Sequence, residues 1–275
     1  MKRALIILAV LFLAAGVRAE EWRFAPLPME NPETVVAAWK PLLDYLAEKL
    51  GVTIRIDYST SYAELLDKFA AGKLDLAYLG PLPYVELKKR LGAAEPLVHF
   101  KEKNGESFYT CALVTNADSG LRIERLVGKK IALTQPLSTC GYLATDGMLR
   151  EKGSSLDKNR YRYLDKHDAV ALAVSRGEYD AGGVKTAIAR KYAHLGVVVL
   201  AESRPFPGFA LVAHTGRIDP ARRAQLVKLL SEVDPVIRQS WGEPIRHGAI
   251  AARDGDYDAV RRYLPAQPIP ERGNF

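Results

Sequence analysis

Short apolar runs alternate with amphipathic segments along almost the whole chain after residue 20. The apolar runs have the length and the β-branched and aromatic content of buried strands. They cover residues 22–25, 52–58, 74–78, 108–115, 130–134, 161–164, 181–184, 197–201 and 209–214. Segments with helical spacing of apolar positions lie between them, at residues 35–50, 62–71, 139–152, 169–176 and 220–233. This alternation predicts an α/β fold with parallel strand pairing.

One order of local features occurs in both halves of the chain. A helical segment, a glycine stop, an acidic residue and a buried strand follow one another at residues 69–76 and again at 173–180. Two units of similar build predict two lobes with a cleft between their strand ends, where α/β proteins bind ligands. Extended runs near 108–115 and 206–215 are the natural crossings between the lobes.

We therefore predict a two-lobed, hinged fold in which each lobe is a mixed, mostly parallel sheet flanked by helices. Lobe one is discontinuous and holds residues 20–113 and 208–275, and lobe two holds residues 114–207.

Residues 1–19 have the features of a signal peptide. Lys2 and Arg3 precede an apolar run from residue 4 to residue 17, and Val17-Arg18-Ala19 fits a small-residue cleavage site. The run is short for an uncleaved membrane anchor, which needs about 20 apolar residues. We expect export to the periplasm and cleavage after Ala19.

The charge balance excludes one class of partner. Three of the 39 Lys and Arg residues lie within residues 1–19, so 36 remain against 32 Asp and Glu, a formal net charge of +4. The one basic block, at residues 88–90, lies on a predicted helix face. Nucleic-acid binding is therefore not expected, whereas a mildly basic protein suits the capture of small anions.

A run of small hydrogen-bonding residues, Leu-Ser-Thr-Cys-Gly-Tyr at 137–142, follows the strand at 130–134 and opens a helical segment. A helix start presents unpaired backbone N–H groups and the positive end of the helix dipole. With the hydroxyls of Ser and Thr beside them, these groups can form an anion-binding site. The alternative is an ordinary helix cap, because Ser and Thr are common N-cap residues.

Several motifs, taken in order, resemble those of the periplasmic phosphonate-, phosphite- and phosphate-binding proteins. The matching segments are Phe-Ala-Pro at 24–26, Asn-Pro-Glu at 31–33, Tyr-Ala-Glu-Leu-Leu at 62–66, Asp-Leu-Ala-Tyr-Leu-Gly-Pro-Leu at 75–82, Ser-Thr-Cys-Gly-Tyr at 138–142, His-Asp-Ala-Val at 167–170 and Gly-Glu-Tyr-Asp-Ala at 177–181. Members of this family are two-lobed solute receptors of ABC importers. The resemblance implies the same fold and role for most of the chain after residue 20.

The resemblance also implies a ligand set. The turn that holds the anionic oxygens in the family matches Ser138, Thr139, Cys140 and Gly141. The family's ligand histidine matches His167, which otherwise reads as a polar residue at a helix entrance, and its lobe-one tyrosine matches Tyr62, which otherwise covers a helix end.

A second ligand tyrosine of the family falls at Phe108, and a shift of one residue in the match would place it at Tyr109. Further residues are expected around the site, namely Tyr78, Tyr84, Tyr109, Cys111 and Tyr142. Where relatives that take aminoalkyl phosphonates have acidic residues, this chain has Lys185, Ala187 and Phe209, so a cationic substituent on the ligand is unwelcome.

Cys140 stands where the family has serine, and Cys111 is the other cysteine of the chain. A thiol at a helix N-terminus is a poor hydrogen-bond donor but a good ligand for a soft centre such as arsenic(III). An exported protein with two cysteines often pairs them, and the sequence leaves open a disulfide or two buried thiols.

Two functions follow as expectations. In the first, a solute-binding protein captures phosphite, phosphate or a small phosphonate in the cleft and delivers it to an ABC permease. In the second, a receptor for the periplasmic domain of a sensor kinase binds arsenite or a related oxyanion through cysteine. Both would be monomeric.

Catalysis is not expected. Ser138 with His167 and Asp168 could be imagined as a hydrolytic set, but adjacent His and Asp side chains rarely orient each other in that way. No histidine cluster or Gly-x-Gly-x-x-Gly motif occurs, so neither a metal nor a cofactor is predicted.

Overall fold

The computed structural model describes residues 20–29 and 32–275. The predicted signal peptide, residues 1–19, and Asn31 of the motif at 31–33 lie outside the described residues. The strands are β1 (Glu21–Pro26), β2 (Thr53–Ile56), β3 (Leu76–Leu79), β4 (Ala94–Phe100), β5 (Phe108–Tyr109), β6 (Cys111–Asn116), β7 (Lys130–Leu133), β8 (Arg160–Tyr163), β9 (Ala181–Lys185), β10 (Val197–Glu202), β11 (Phe206–Pro207), β12 (Ala210–His214) and β13 (Ala249–Ala251).

The α-helices are α1 (Pro32–Leu50), α2 (Tyr62–Ala70), α3 (Pro81–Arg90), α4 (Ala144–Glu151), α5 (His167–Ser175), α6 (Thr186–Lys191), α7 (Pro220–Ser231), α8 (Pro235–Arg238) and α9 (Asp258–Tyr263). A π-helical turn, Thr139–Leu143, leads directly into α4. None of the helices in the described ranges combines the length and the apolar character that a membrane span requires.

Two sheets form the centres of two lobes. The first has the strand order β13-β4-β12-β3-β1-β2, and the second has the order β10-β6-β9-β7-β8. In the first sheet β1 pairs in parallel with β2 and β3, and β12 and β13 pair antiparallel with their neighbours. In the second, β7 pairs in parallel with β8 and β9, and β6 pairs antiparallel with β9 and β10. The sheets are mixed as predicted, but they are not mostly parallel, because β6 and β12, which enter from the other lobe, run antiparallel to their neighbours and β13 runs antiparallel to β4.

A short antiparallel ribbon of β5 and β11 forms the crossing between the lobes, as the extended runs predicted. Immediately after it, β6 joins the second sheet at Cys111, three residues before the predicted boundary at 114. The chain then returns to the first sheet through Gly208, where a side chain would press against the carbonyl oxygens of Phe100 and Ser107 at 2.8 and 2.9 Å. Glycine at this position permits the close approach of the crossing strands.

The repeated acidic residue has the same function in both lobes. Asp75 precedes β3, and its carboxylate accepts a hydrogen bond of 2.7 Å from the backbone N–H of Arg23 in β1. Asp180 precedes β9, and its carboxylate accepts a hydrogen bond of 2.7 Å from the backbone N–H of Lys130 in β7. Each acid thus ties the start of a strand to its parallel neighbour, and the helix, stop, acid and strand unit is a structural repeat.

The core of the first lobe contains a cluster of aromatic rings. Trp39 of α1 lies with its ring centroid 4.7 Å from that of Phe24, 4.7 Å from that of Tyr78 and 6.3 Å from that of Phe100. Phe209, at the start of the return to β12, stacks on Tyr78 at 5.2 Å. This packing connects the interior of the first lobe to the cleft, because Phe209 also faces the second lobe.

The turn at 138–142 packs on β9 through a glycine. A Cβ atom on Gly183 would overlap the Thr145 hydroxyl and would lie 2.7 Å from the carbonyl oxygen of Cys140. Any larger residue would therefore push the turn away from the sheet.

We predict that Gly183→Ala lowers the free energy of unfolding by about 1–3 kcal/mol relative to Gly92→Ala, because overpacking forces backbone shifts. Gly92 is a matched control, since nothing lies within 4 Å of its added methyl group. Urea unfolding of both variants measures the difference. Equal free energies of unfolding for the two variants would show that the turn can shift away from the added methyl group without loss of stability.

Candidate functional site

A cavity with an empty volume of ≈ 300 Å³, here called the anion cavity, lies between the two lobes. Its lining comes from both lobes and from the crossing, and consists of Leu27, Tyr62, Gly80, Pro83, Tyr109, Ser138, Thr139, Cys140, His167, Lys185 and Phe209. The structure thus brings together five of the seven residues predicted to bind the ligand. Gly80 and Pro83 form part of its wall, at the turn into α3.

The turn from Ser138 supplies one side of the cavity. Ser138 is the N-cap residue of the π-helical turn, and its hydroxyl accepts a hydrogen bond of 3.1 Å from the N–H of Gly141. The N–H of Gly141 is therefore already paired, and Gly141 does not line the cavity. Gly141 was predicted among the ligand residues; in the structure it allows close packing of the turn, because a Cβ atom would overlap Thr134.

Thr139 reaches from the second lobe to the first. Its hydroxyl accepts a hydrogen bond of 3.0 Å from the backbone N–H of Leu82, in the first turn of α3. Thr139 thus contributes a contact between the lobes, and it also lines the cavity.

Cys140 forms a disulfide with Cys111, with a Cα–Cα distance of 5.1 Å. Both cysteines of the chain are used in this bond, so neither presents a thiol. The expectation of a reactive thiolate at the start of the helix is therefore wrong, and of the two alternatives the structure has the disulfide.

Two phenol groups face the cavity from the first lobe and the crossing. Tyr62 is the first residue of α2 and is only 8% exposed, and Tyr109 lies on β5 and is 7% exposed. Burial raises the pKa of both phenols far above the ordinary value, although a hydrogen bond to Thr139 opposes the rise at Tyr109. Both remain protonated and can donate a hydrogen bond to an anion.

The placement of Phe108 in the cavity is wrong. Its side chain is 43% exposed and points to the opposite face of β5, because successive residues of a strand alternate between faces. Tyr109 takes the place in the cavity, as the shift of one residue predicted.

His167, the first residue of α5, faces the cavity as an uncharged ring. The backbone N–H of Lys185 donates a hydrogen bond of 3.2 Å to its Nδ1. Burial, and then the positive charge of Lys185, lower the pKa of His167 from 6.5 to about 4, against a smaller raising effect of Asp168. With Nδ1 accepting, the neutral ring carries its proton on Nε2, which is left as a donor.

Lys185 is a site residue that the sequence analysis named only as a departure from the family. It ends β9 and lines the cavity, and its ammonium group pairs with the carboxylate of Glu102 from the first lobe at 2.6 Å. A lysine next to a predicted anion site is a signal that could have included it among the ligand residues. Glu102 lies in the loop after β4, and nothing in its local sequence distinguishes it.

The residues expected around the site occupy different places. Tyr78 lies behind Phe209 in the core, and Cys111 lies behind Cys140. Tyr84 donates a hydrogen bond of 2.6 Å to Asp254, and Tyr142 packs against Tyr161 with ring centroids 6.0 Å apart. These last two tyrosines do not line the anion cavity.

Asp168 and His167 do not form a catalytic pair. The carboxylate of Asp168 pairs with Lys191 at 3.3 Å at the surface, which draws it away from a role as partner of His167. In the ranges 20–29 and 32–275, no group of His, Cys, Asp or Glu side chains could hold a metal ion.

Comparison with known proteins agrees with the geometry. Residues 24–257 match the family described as ABC transporter, phosphonate, periplasmic substrate-binding protein. The chain is 30% identical over 171 residues to the phosphate-import protein PhnD of Mycolicibacterium smegmatis, an alignment that covers 58% of this chain and 53% of that protein. It is 25% identical over 163 residues to the phosphonates-binding periplasmic protein of Escherichia coli, covering 57% of this chain and 48% of that protein.

The matched part thus spans about half the length of these two relatives. Among solved structures, PhnD1 from Prochlorococcus marinus in complex with methylphosphonate superposes with a TM-score of 0.75 at 16% identity, covering 89% of this chain and 97% of that one. This last likeness shows the shared two-lobed fold. From the family match over most of its length, the chain belongs to the phosphonate-binding family of ABC transporter periplasmic substrate-binding proteins.

Proposed function

We propose that this protein captures a small phosphorus oxyanion, namely phosphite, phosphate or a small phosphonate, in the anion cavity and delivers it to an ABC permease. The observation that carries the proposal is the convergence of neutral donors and one cation on a single small cavity. Ser138, Tyr62, Tyr109 and the Nε2–H of His167 can donate hydrogen bonds, and the ammonium group of Lys185, which is paired with Glu102, lies beside them. The periplasmic description of the family and the predicted signal peptide support a site of action outside the cytoplasmic membrane.

The size of the cavity supports a small ligand. The empty volume of ≈ 300 Å³ includes open solvent, so the enclosed space has room only for a small ligand, and Leu27, Pro83 and Phe209 line its apolar side. A tetrahedral anion with a hydrogen or a short alkyl group fits this combination of donors and apolar wall. The relatives named for phosphate and phosphonates belong to the same chemical class.

Ligand binding would favour lobe closure. Contacts between the lobes around the cavity include the Thr139–Leu82 bond of 3.0 Å, a bond of 3.3 Å from the Gln135 amide to the carbonyl of Pro28, and the Lys185–Glu102 ion pair of 2.6 Å. An anion held by Tyr62 from one lobe and by Ser138 from the other adds contacts that exist only when the lobes are close. Such differential contact shifts the population towards the closed form, which a permease can recognise.

Tyr62→Phe and Ser138→Ala should each weaken methylphosphonate binding by about tenfold, because each removes a hydrogen bond to a charged ligand. Isothermal titration calorimetry of chains that begin at Glu20 measures the affinities. Tyr142→Phe is a matched control, since this tyrosine is buried but outside the cavity. Unchanged affinity in both site variants would argue against the proposed ligand set.

The disulfide should stabilise the fold and leave no binding site for arsenite. The two cysteines are 29 residues apart, and closing a loop of this length stabilises a protein by about 3–4 kcal/mol through the unfolded state. We expect Cys111→Ser with Cys140→Ser to lose about this free energy of unfolding in urea. Dithiothreitol should destabilise the wild type similarly and should leave the double variant unchanged. Arsenite binding by the oxidised wild type would contradict this assignment and favour the sensor hypothesis.

The neutral state of His167 has a consequence for stability. Its folded-state pKa of about 4 lies below the ordinary 6.5, so the unfolded chain takes up a proton on this ring first. The stabilisation is complete above pH 6.5 and is lost as the pH falls towards 4. Between pH 7 and pH 4 the wild type should therefore lose on the order of 2–3 kcal/mol more than His167→Asn, whose amide oxygen can still accept from Lys185.

Urea unfolding of the ligand-free proteins at both pH values checks this, since the carboxylates titrate equally in both. His167→Gln offers a second comparison, because its amide nitrogen can replace the Nε2 donor. A parallel decline of the wild type and both variants would show that His167 titrates normally in the folded state.

A further inference from the structure

Lys185 separates the anion cavity from a second cavity. This outer cavity has an empty volume of ≈ 810 Å³ and is lined by Glu102, Phe108, Tyr109, Lys185, Ala187 and further residues. Tyr109 and Lys185 line both cavities. The Lys185 side chain is therefore part of the wall between the place of the oxyanion and a larger space beyond it.

The ammonium group of Lys185 contacts one carboxylate and two aromatic rings, the groups that commonly bind a cationic ligand. The two carboxylate oxygens of Glu102 lie 2.7 and 2.6 Å from Nζ. Nζ also lies 4.9 Å from the ring centroid of Tyr109 and 5.8 Å from that of Phe209, within the range of cation–π attraction. Both charged side chains are mostly shielded from solvent, at 22% and 24% exposure. One carboxylate and two aromatic rings form what we name the cation cage.

We propose that the cation cage is an ammonium site that Lys185 fills from within the chain, so that the protein rejects phosphonates with a terminal amino group. The proposal rests on the proposed function and specifies its ligand class. With the cage filled, an aminoalkyl ligand in the anion cavity meets the positive charge of Lys185 and finds no free carboxylate. A ligand without an amino group brings no cation against the ammonium group of Lys185 and meets the apolar wall.

Truncation of Lys185 should empty the cage and connect the two cavities. The Glu102 carboxylate and the rings of Tyr109 and Phe209 would then face the ligand, and a terminal ammonium group could take the place of Nζ. An unpaired, shielded carboxylate is costly, which adds to the preference for a ligand that brings its own cation. Specificity would change from plain phosphonates to aminoalkyl phosphonates by removal of one side chain.

The test measures methylphosphonate and 2-aminoethylphosphonate binding by calorimetry to the wild type, Lys185→Ala and Lys185→Ala with Glu102→Gln. We expect the wild type to bind methylphosphonate at least tenfold more tightly than 2-aminoethylphosphonate. Lys185→Ala should shift this ratio by at least tenfold towards 2-aminoethylphosphonate, and the added Glu102→Gln should abolish the shift. Lys185→Ser repeats the measurement should the alanine variant not fold, as judged by circular dichroism and thermal unfolding.

Lys191→Ala is the matched control. This lysine also pairs with a carboxylate, Asp168 at 3.3 Å, and lies 5.0 Å from the ring centroid of Tyr192, but it is at the surface outside both cavities. Its removal should leave the ratio of affinities unchanged.

The outcomes separate the two proposals. Methylphosphonate binding by the wild type with an unchanged ratio in the truncated variants overturns the cation cage and leaves the proposed function intact. Tight binding of 2-aminoethylphosphonate by the wild type also overturns it. If the wild type binds no phosphorus oxyanion at all, the proposed function fails, and the cation cage fails with it.

Discussion

The disulfide between Cys111 and Cys140 fixes the geometry on which the anion cavity depends. Cys140 lies in the turn that lines the cavity, and Cys111 is the register partner of Lys185 in the pairing of β6 with β9. The backbone N–H of Lys185 in turn holds the ring of His167. One covalent bond therefore keeps the turn, the lysine and the histidine at fixed positions within one lobe. A site preorganised in this way needs little ordering when the ligand arrives.

The charges of the site determine how an anion can be held. Lys185 is paired with Glu102, so the two side chains together are neutral, and His167, Tyr62 and Tyr109 are uncharged. In the proposed function the anion is therefore stabilised mainly by hydrogen bonds and by the dipole of the turn and helix that follow Ser138. Such a site discriminates by the direction of its donors. It also avoids an excess of buried positive charge when no ligand is bound.

Local sequence patterns predicted much of this structure, and their failures have physical causes. The carboxylates of Asp75 and Asp180 each accept a hydrogen bond from the backbone N–H of the neighbouring parallel strand. This repeat is visible in the sequence because the same interaction recurs at the same local position in both lobes. Strand β4 escaped prediction because Pro96 interrupts its apolar run. Pro96 lies where the pairing of β4 with β12 shifts register, a position at which a missing N–H is tolerated.

Part of the lining of the anion cavity was predicted for a similar reason. The residues of the turn and His167 lie in short motifs, so their places follow from local order. Whether Phe108 or Tyr109 faces the cavity depends on strand register, and a shift of one residue exchanges the two faces. The contact of Lys185 with Glu102 joins residues that are 83 positions apart and belong to different lobes. A single sequence contains no local signal for such a contact.

The Lys185 side chain has a thermodynamic advantage over any ligand that would compete for the same carboxylate. The Lys185 ammonium group is tethered to the chain, so its effective concentration at the Glu102 carboxylate is about a millimolar or more. A free ligand loses translational freedom when it binds, and this loss weakens its binding. A free ligand with an ammonium group, at a concentration far below this value, therefore does not displace Lys185 through its ion pair with Glu102 alone. Exclusion by a resident side chain requires no change in cavity shape, so it is compatible with the small, preformed site that the disulfide maintains.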